Sequence, residues 1–269
     1  MNINPYTPIR KVPLNYEGIK SSAYSIQLKN NSDTFEEVGT VSNSYLLIEN
    51  KEVKTLVDEM VDSTGWDWEV TREYFDGKKF MYSLMAKDKT KELDVGDTVG
   101  LGISAWNSYD GSASFNVKLM AYRLECLNGM MSDIIFNKFR FRHDKSSEDY
   151  AKELSNFKKY FNTCDAKLEQ FAGACNSLLT TLELEDLRKI RKEYLQDIPV
   201  TLFGKFFDEY TKGSEDYRNT AWDFTNAATN VLWHNKKPTY TDFKHNKLVV
   251  DKMLEYAWDC EADKAVDSM

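Results

Sequence analysis

The sequence predicts an α+β fold: an antiparallel β-meander flanked by a short helix and a long helix, followed by a helical C-terminal region. Three observations carry that expectation. Apolar residues alternate with small or polar ones from Val99 to Leu119, the period of a half-buried strand. Asp76-Gly77 separates two β-prone runs, a strong short-range hairpin signal. Beyond Ser146 the apolar period changes to steps of three and four, which belongs to helices.

The elements follow in chain order. Three of the five prolines fall before residue 14, which marks residues 1–34 as an extended N-terminal arm. A core over 35–199 comes next, then a helical region over 200–269. Asn50 is expected to cap a short amphipathic helix whose Val53, Leu56, Val57, Met60 and Val61 share one face, and Gly65 suits its end. The Asp76-Gly77 hairpin leads into the strand Val99–Ala105, the loop Asn107–Ser114 (NSYDGSAS) and a strand from Phe115. That loop has the turn chemistry of a hairpin bend: Asp110-Gly111 reverses the chain, and Asn107 and Ser108 can bond local backbone. Near Met120 the apolar set shifts to Tyr122, Leu124 and Cys126, a change of phase that predicts a bulge.

Ser146 and Asp149 have capping-box spacing. A heptad-like stripe then runs through Tyr150, Leu154, Phe157, Phe161, Cys164, Leu168, Phe171, Cys175 and Leu178. It predicts one long helix, laid across the sheet or offering a seam for self-association. Further helices are expected near 184–195, 201–210, 220–233 and 247–259.

A net charge of −8, with 42% apolar and 13% aromatic residues, describes an acidic chain with ample core. Non-specific attraction to nucleic acid is therefore not global, and any such surface must be a local patch. Four scattered cysteines form no CxxC pair, so neither a zinc knuckle nor a disulfide framework is signalled, and a cytoplasmic setting is expected. No apolar run approaches the roughly 20 residues of a membrane span.

Catalytic motifs are missing from the sequence. GxxxxGK[ST], GxSxG and HExxH are absent, and Gly96, Gly100 and Gly102 alternate within a strand pattern instead of opening a helix. The three histidines are scattered, and the acidic clusters look like solvated helix faces. No cofactor, metal or catalytic residue is therefore predicted.

The informative stretch is FNKFRFRHDK. On a strand, Lys138, Arg140 and Arg142 would share one face and Phe139 and Phe141 the other. Lys118 to Lys145 holds six basic residues (118, 123, 138, 140, 142, 145) against three acids (125, 133, 144), a local excess of three positive charges. Such a stripe can follow the phosphates of a single strand, or it can protect a sheet edge.

Three motifs then resemble a known family in order. ISAWNSYDGSASFNVKLMAYRLECLNGM carries Asn107, Ser108, Asp110, Gly111 and Ser112, then Arg123, Cys126, Asn128 and Gly129. FRFRHDKSSEDYAKEL supplies Arg142 and His143 ahead of a helix, and TAWDFTNAATNVLWHN supplies Thr220, Trp222, Asn226, Ala227 and His234. Together these resemble the phage/plasmid-like protein family, a domain of unknown function with an Asn-Ser-x-Asp-Gly-Ser motif, over roughly residues 35–235. At the level of architecture the chain is also similar to phage single-strand annealing proteins of the RecT, Redβ and Erf type. That likeness implies oligomeric rings or helical filaments that hold single strands beside a sheet.

The leading expectation is thus a phage-encoded DNA-recombination protein, cytoplasmic and non-enzymatic, that binds single-stranded DNA and anneals it without ATP as a homo-oligomer. Lys118, Arg123, Lys138, Arg140 and Arg142 would contact phosphate, and Trp106 and Tyr109 would stack on bases. The alternative is an acidic protein-interaction factor, such as a host-defence inhibitor or DNA mimic, with an unknown host partner. A third reading is a metal-dependent nuclease using Asp110 with His143.

Overall fold

A computed structural model describes residues 4–267, apart from 17, 31, 94–95, 137, 144–146, 162, 213–218 and 236–238. It has the expected α+β class. The chain divides into two compact units, each assembled from three separate stretches. The first comprises residues 1–88, 103–119 and 137–164, and the second 89–102, 120–136 and 165–269.

The N-terminal stretch departs from expectation. Strands β1 (Ile9–Tyr16), β2 (Ile19–Lys29) and β3 (Phe35–Ser42) form a three-stranded antiparallel sheet in place of an extended arm. Pro5 and Pro8 precede β1, and Pro13 sits within β1 at the sheet edge, where a missing ladder donor is tolerated. The β1–β2 register shifts between Pro13 and Asn15. Ile9, Ile26, Leu28 and Val41 from this sheet enclose a core with Tyr45 and Tyr109.

Helix α1 (Asn50–Asp62) buries Val53, Leu56, Val57, Met60 and Val61, the face read from the spacing. Its N-cap is Glu49, whose backbone N–H is accepted by the Glu52 carboxylate at 3.2 Å. The cap is thus one residue earlier than expected: Asn50 is the first helical residue and is buried, while the Glu49–Glu52 pair makes the box.

The meander is as predicted. Strands β4 (Trp68–Phe75), β5 (Lys79–Glu92), β6 (Thr98–Ser108), β7 (Phe115–Arg123) and β8 (Asn128–Met130) lie in that order, and β9 (Lys138–Phe141) pairs with β7. At the first hairpin Gly77 has φ 96°, and the Asp76 carboxylate accepts the backbone N–H of Lys78 and Lys79 at 2.8 and 2.7 Å. No bulge interrupts the ladders of β7 with β9 or β8. The change of phase near Met120 falls instead where β7 exchanges neighbours: β9 pairs with residues 115–118 and β8 with 121–123. Residues 115–122 are all buried, so an alternating pattern has no single face to report there.

The long helix is two helices, α2 (Ser147–Phe161) and α3 (Cys164–Ser177). The stripe still marks the buried residues: Phe157, Phe161, Cys164, Leu168, Phe171, Cys175 and Leu178 are all enclosed. Periodicity reports burial, and a helix break spaced three residues apart leaves it intact. Because those side chains are buried within the monomer, they provide no self-association seam. Ser146 of the expected capping box lies outside the described residues.

Four further helices complete the second unit: α4 (Leu184–Lys189) with a π-helical turn Ile190–Tyr194, α5 (Val200–Lys212), α6 (Ala221–Trp233) and α7 (Tyr240–Asp267). Thr220 caps α6 in a box with Asp223. Helix α7 extends well beyond the 247–259 expected.

Candidate nucleic-acid interface

Strand β9 presents the period-2 split in full. Lys138, Arg140 and Arg142 are exposed, whereas Phe139 and Phe141 are 3% and 0% exposed. Phe139 packs against Phe115, Tyr150 of α2 and Phe157, at ring separations of 5.4, 6.1 and 6.0 Å. Phe141 meets Tyr150 at 5.0 Å. Burial of the two phenylalanines therefore fixes the strand's roll and turns the cations outward. Alternate residues on a strand stand about 6.7 Å apart, a spacing of the order of successive phosphates in an extended single strand. Arg140 Nε donates to Ser114 Oγ at 3.3 Å, at the start of the opposing strand.

The other expected contacts are placed differently. Lys118 pairs with Lys138 in register but is only 5% exposed, because β7 is an interior strand. Arg123 is held by Asp97, Nε to Oδ2 at 2.5 Å, and also bonds Glu125. Burial works against the Arg123 guanidinium, and Asp97 more than offsets it, so its proton is held more tightly than usual. Trp106 and Tyr109 are 8% and 1% exposed and offer no face to a base. Tyr109 instead accepts the Asn50 N–H at 2.8 Å and packs edge-on against Phe75.

The NSYDGSAS loop is a braced bend. Asn107 Nδ2 donates to the carbonyl of Ile48 and to Asn50 Oδ1 at 2.8 and 3.1 Å. Ser108 Oγ exchanges hydrogen bonds with the Ala113 backbone, and the Tyr45 hydroxyl donates to the Ser108 carbonyl at 2.6 Å. Asp110 accepts the Ser112 N–H, and Gly111 has φ 71°. Gly39 of β3 makes room for this turn: a Cβ there would lie 2.6 Å from Asp110 Cα. His143 stacks on Tyr45 at 4.6 Å, and its Nδ1 lies 2.8 Å from the Leu46 carbonyl. Asp110 and His143 thus both neighbour Tyr45, whose phenol is pushed up by burial and then by the Asp110 charge. Among the described residues no group of three His, Cys, Asp or Glu side chains is placed to hold a metal ion.

The remaining motif residues meet in the second unit. Trp222 Nε1 donates to Asp97 Oδ2 at 2.9 Å, the oxygen that also receives Arg123. His234 Nε2 lies 2.9 Å from Asn128 Oδ1 and 3.0 Å from the Cys126 carbonyl. Asn128 Nδ2 reaches the Asn226 carbonyl at 3.3 Å. Burial pushes the Cys126 thiol up, and the Arg123 guanidinium beside it only partly reverses this. The thiol is therefore not an activated nucleophile. Gly129 admits Trp233: a Cβ would fall 2.6 Å from the indole. Asp97 and Asn246, which bonds the Gly129 carbonyl and Met131 N–H, belong to this cluster and carried no sequence signal.

The two clusters draw their residues from β3 to α7. A family profile described as a domain of unknown function (DUF932) matches residues 37–254. The chain belongs to that family. The DUF932 match covers both motif clusters and β9, and leaves out β1, β2 and the end of α7. No curated protein and no solved structure matches the chain.

Proposed function

We propose that this DUF932 protein binds single-stranded DNA along β9 and serves ATP-independent annealing of complementary strands, in the manner of phage recombination proteins. The outward row Lys138, Arg140 and Arg142, anchored by buried Phe139 and Phe141, carries the reading. Lys118, Arg123, Trp106 and Tyr109 drop out of the contact set because they are buried or engaged. What remains is a backbone contact without an aromatic platform, so binding is sequence-independent and strongly salt-sensitive.

The test is fluorescence anisotropy of a labelled single-stranded oligonucleotide at two salt concentrations. Three phosphate contacts give a slope of log K against log salt of about −2. An Arg140→Glu/Arg142→Glu variant that stays folded yet binds like the parent overturns the proposal. The net charge of −8 favours a second reading, an acidic factor that occupies a host protein. Co-purification of such a protein, with no oligonucleotide affinity at low salt, would select it.

A further inference from the structure

The braced NSYDGSAS loop ends at the side chain that holds the middle cation of the β9 row. Ser114, its last residue, is half-buried just ahead of β7. Its position is fixed from both sides. Ahead of it, Ser108 Oγ donates to the Ala113 carbonyl at 2.8 Å and accepts the Ala113 N–H at 3.0 Å. Behind it, Asn116 is 7% exposed and donates Nδ2 to the Ser114 carbonyl at 2.6 Å. Asn116 stands directly opposite Arg140 in the β7–β9 ladder, so the two side chains share one face of the sheet.

Ser114 Oγ accepts Arg140 Nε at 3.3 Å. Nε joins the stem to the planar guanidinium, so a bond there sets the plane in which the two terminal nitrogens lie. Among the described residues Nη1 and Nη2 of Arg140 have no hydrogen-bond or ion-pair partner, and the side chain is exposed. Two N–H donors in a fixed plane match two oxygens of one phosphodiester. The loop also reaches the far end of the row. The Tyr45 hydroxyl bonds the Ser108 carbonyl, and the Tyr45 ring stacks on His143, the residue after Arg142.

We propose that Ser114 is a positioning residue: it presents Arg140 as a preset fork for one phosphodiester, and the loop is the frame that holds it there. This role presupposes single-strand binding along β9 and makes the three cations unequal. Charge sets the salt dependence of each, while geometry gives Arg140 the largest share of the affinity.

Anisotropy titrations of a labelled single-stranded oligonucleotide at several salt concentrations test it, with circular dichroism to check the folding of each variant. Ser114→Ala keeps every charge, so it binds about fivefold more weakly with an unchanged salt slope. Ser114→Thr keeps the hydroxyl and restores the parental affinity. Arg140→Lys keeps the charge and the slope but loses the fork, weakening binding about tenfold. Adding Ser114→Ala to Arg140→Lys changes nothing further. Parental affinity in Ser114→Ala or in Arg140→Lys overturns the positioning role. So does a Ser114→Thr variant as weak as Ser114→Ala, or an equal loss from Ser114→Ala with and without Arg140→Lys. In each of these cases single-strand binding still stands if Arg140→Glu/Arg142→Glu abolishes it. A parent that binds no oligonucleotide at low salt overturns both.

Discussion

Trp222 and Arg123 converge on one oxygen of Asp97, the indole at 2.9 Å and the guanidinium at 2.5 Å. The carboxylate and guanidinium side chains are 10% and 16% exposed, so little solvent competes for either. Asp97→Asn keeps the shape but removes the charge, leaving Arg123 nearly buried opposite a neutral amide. Such a loss costs about 3 kcal/mol. Denaturant unfolding of the variant checks it: a midpoint unchanged from the parent would show that the pair is not structural.

Glycine space gives a paired prediction. Gly39→Ala forces a methyl to 2.6 Å from the Asp110 backbone, which cannot swing aside as a side chain would, and costs about 2–3 kcal/mol. Gly173→Ala, in α3 with nothing within 4 Å, stabilises by about 0.5–1 kcal/mol. Thermal melts of the two variants should move in opposite directions.

Asn226 is 1% exposed, and neither its Oδ1 nor its Nδ2 has a hydrogen-bond partner. Replacing it with leucine removes an uncompensated desolvation cost and raises stability by about 1 kcal/mol. Urea unfolding decides the sign. A destabilised variant would mean that the carboxamide is satisfied in solution.

Alkaline pH should loosen the first unit. Burial, with the Glu52 charge nearby, pushes the Tyr150 phenol up to about 12, and burial also raises Tyr45 and Tyr109. An unfolded tyrosine titrates near 10. A folded value above the unfolded one gives stability that is fully present below about pH 10 and is lost as pH rises toward about 12. Phenolate absorbance followed against pH should rise late, together with unfolding; early independent titration of these rings would contradict it.

On β9 and just past its end, Lys138→Ala, Arg140→Ala and Arg142→Ala should each flatten the salt slope of oligonucleotide binding by about 0.7. Arg123→Ala should lower stability and leave that slope unchanged, because its partners are Asp97 and Glu125.

Local chemistry was legible before the fold was known. Asp76-Gly77 identifies its turn from two residues, and the Lys138–Arg142 alternation identifies its two faces from five. The first sheet was hidden because β2, IKSSAYSIQLK, carries mostly small and polar residues, and prolines in the preceding segment argued against a strand. The heptad stripe showed what is buried but not where the helix stops. Partners of Asp97 lie 26 and 125 positions away, at Arg123 and Trp222, and no period or spacing links them. Trp106 and Tyr109 were misplaced for a related reason: aromatics next to a turn look accessible, yet both are buried, Tyr109 among residues of the first sheet.

The interleaving of the two units sets a limit on how the gene can be divided. A break after Cys164 leaves the whole first unit upstream, but with residues 89–102 and 120–136 attached and parted from their helices. Any earlier break splits the first unit itself. No single crossover or protease nick can therefore release both halves intact, and the protein should be inherited, exchanged and degraded as one piece.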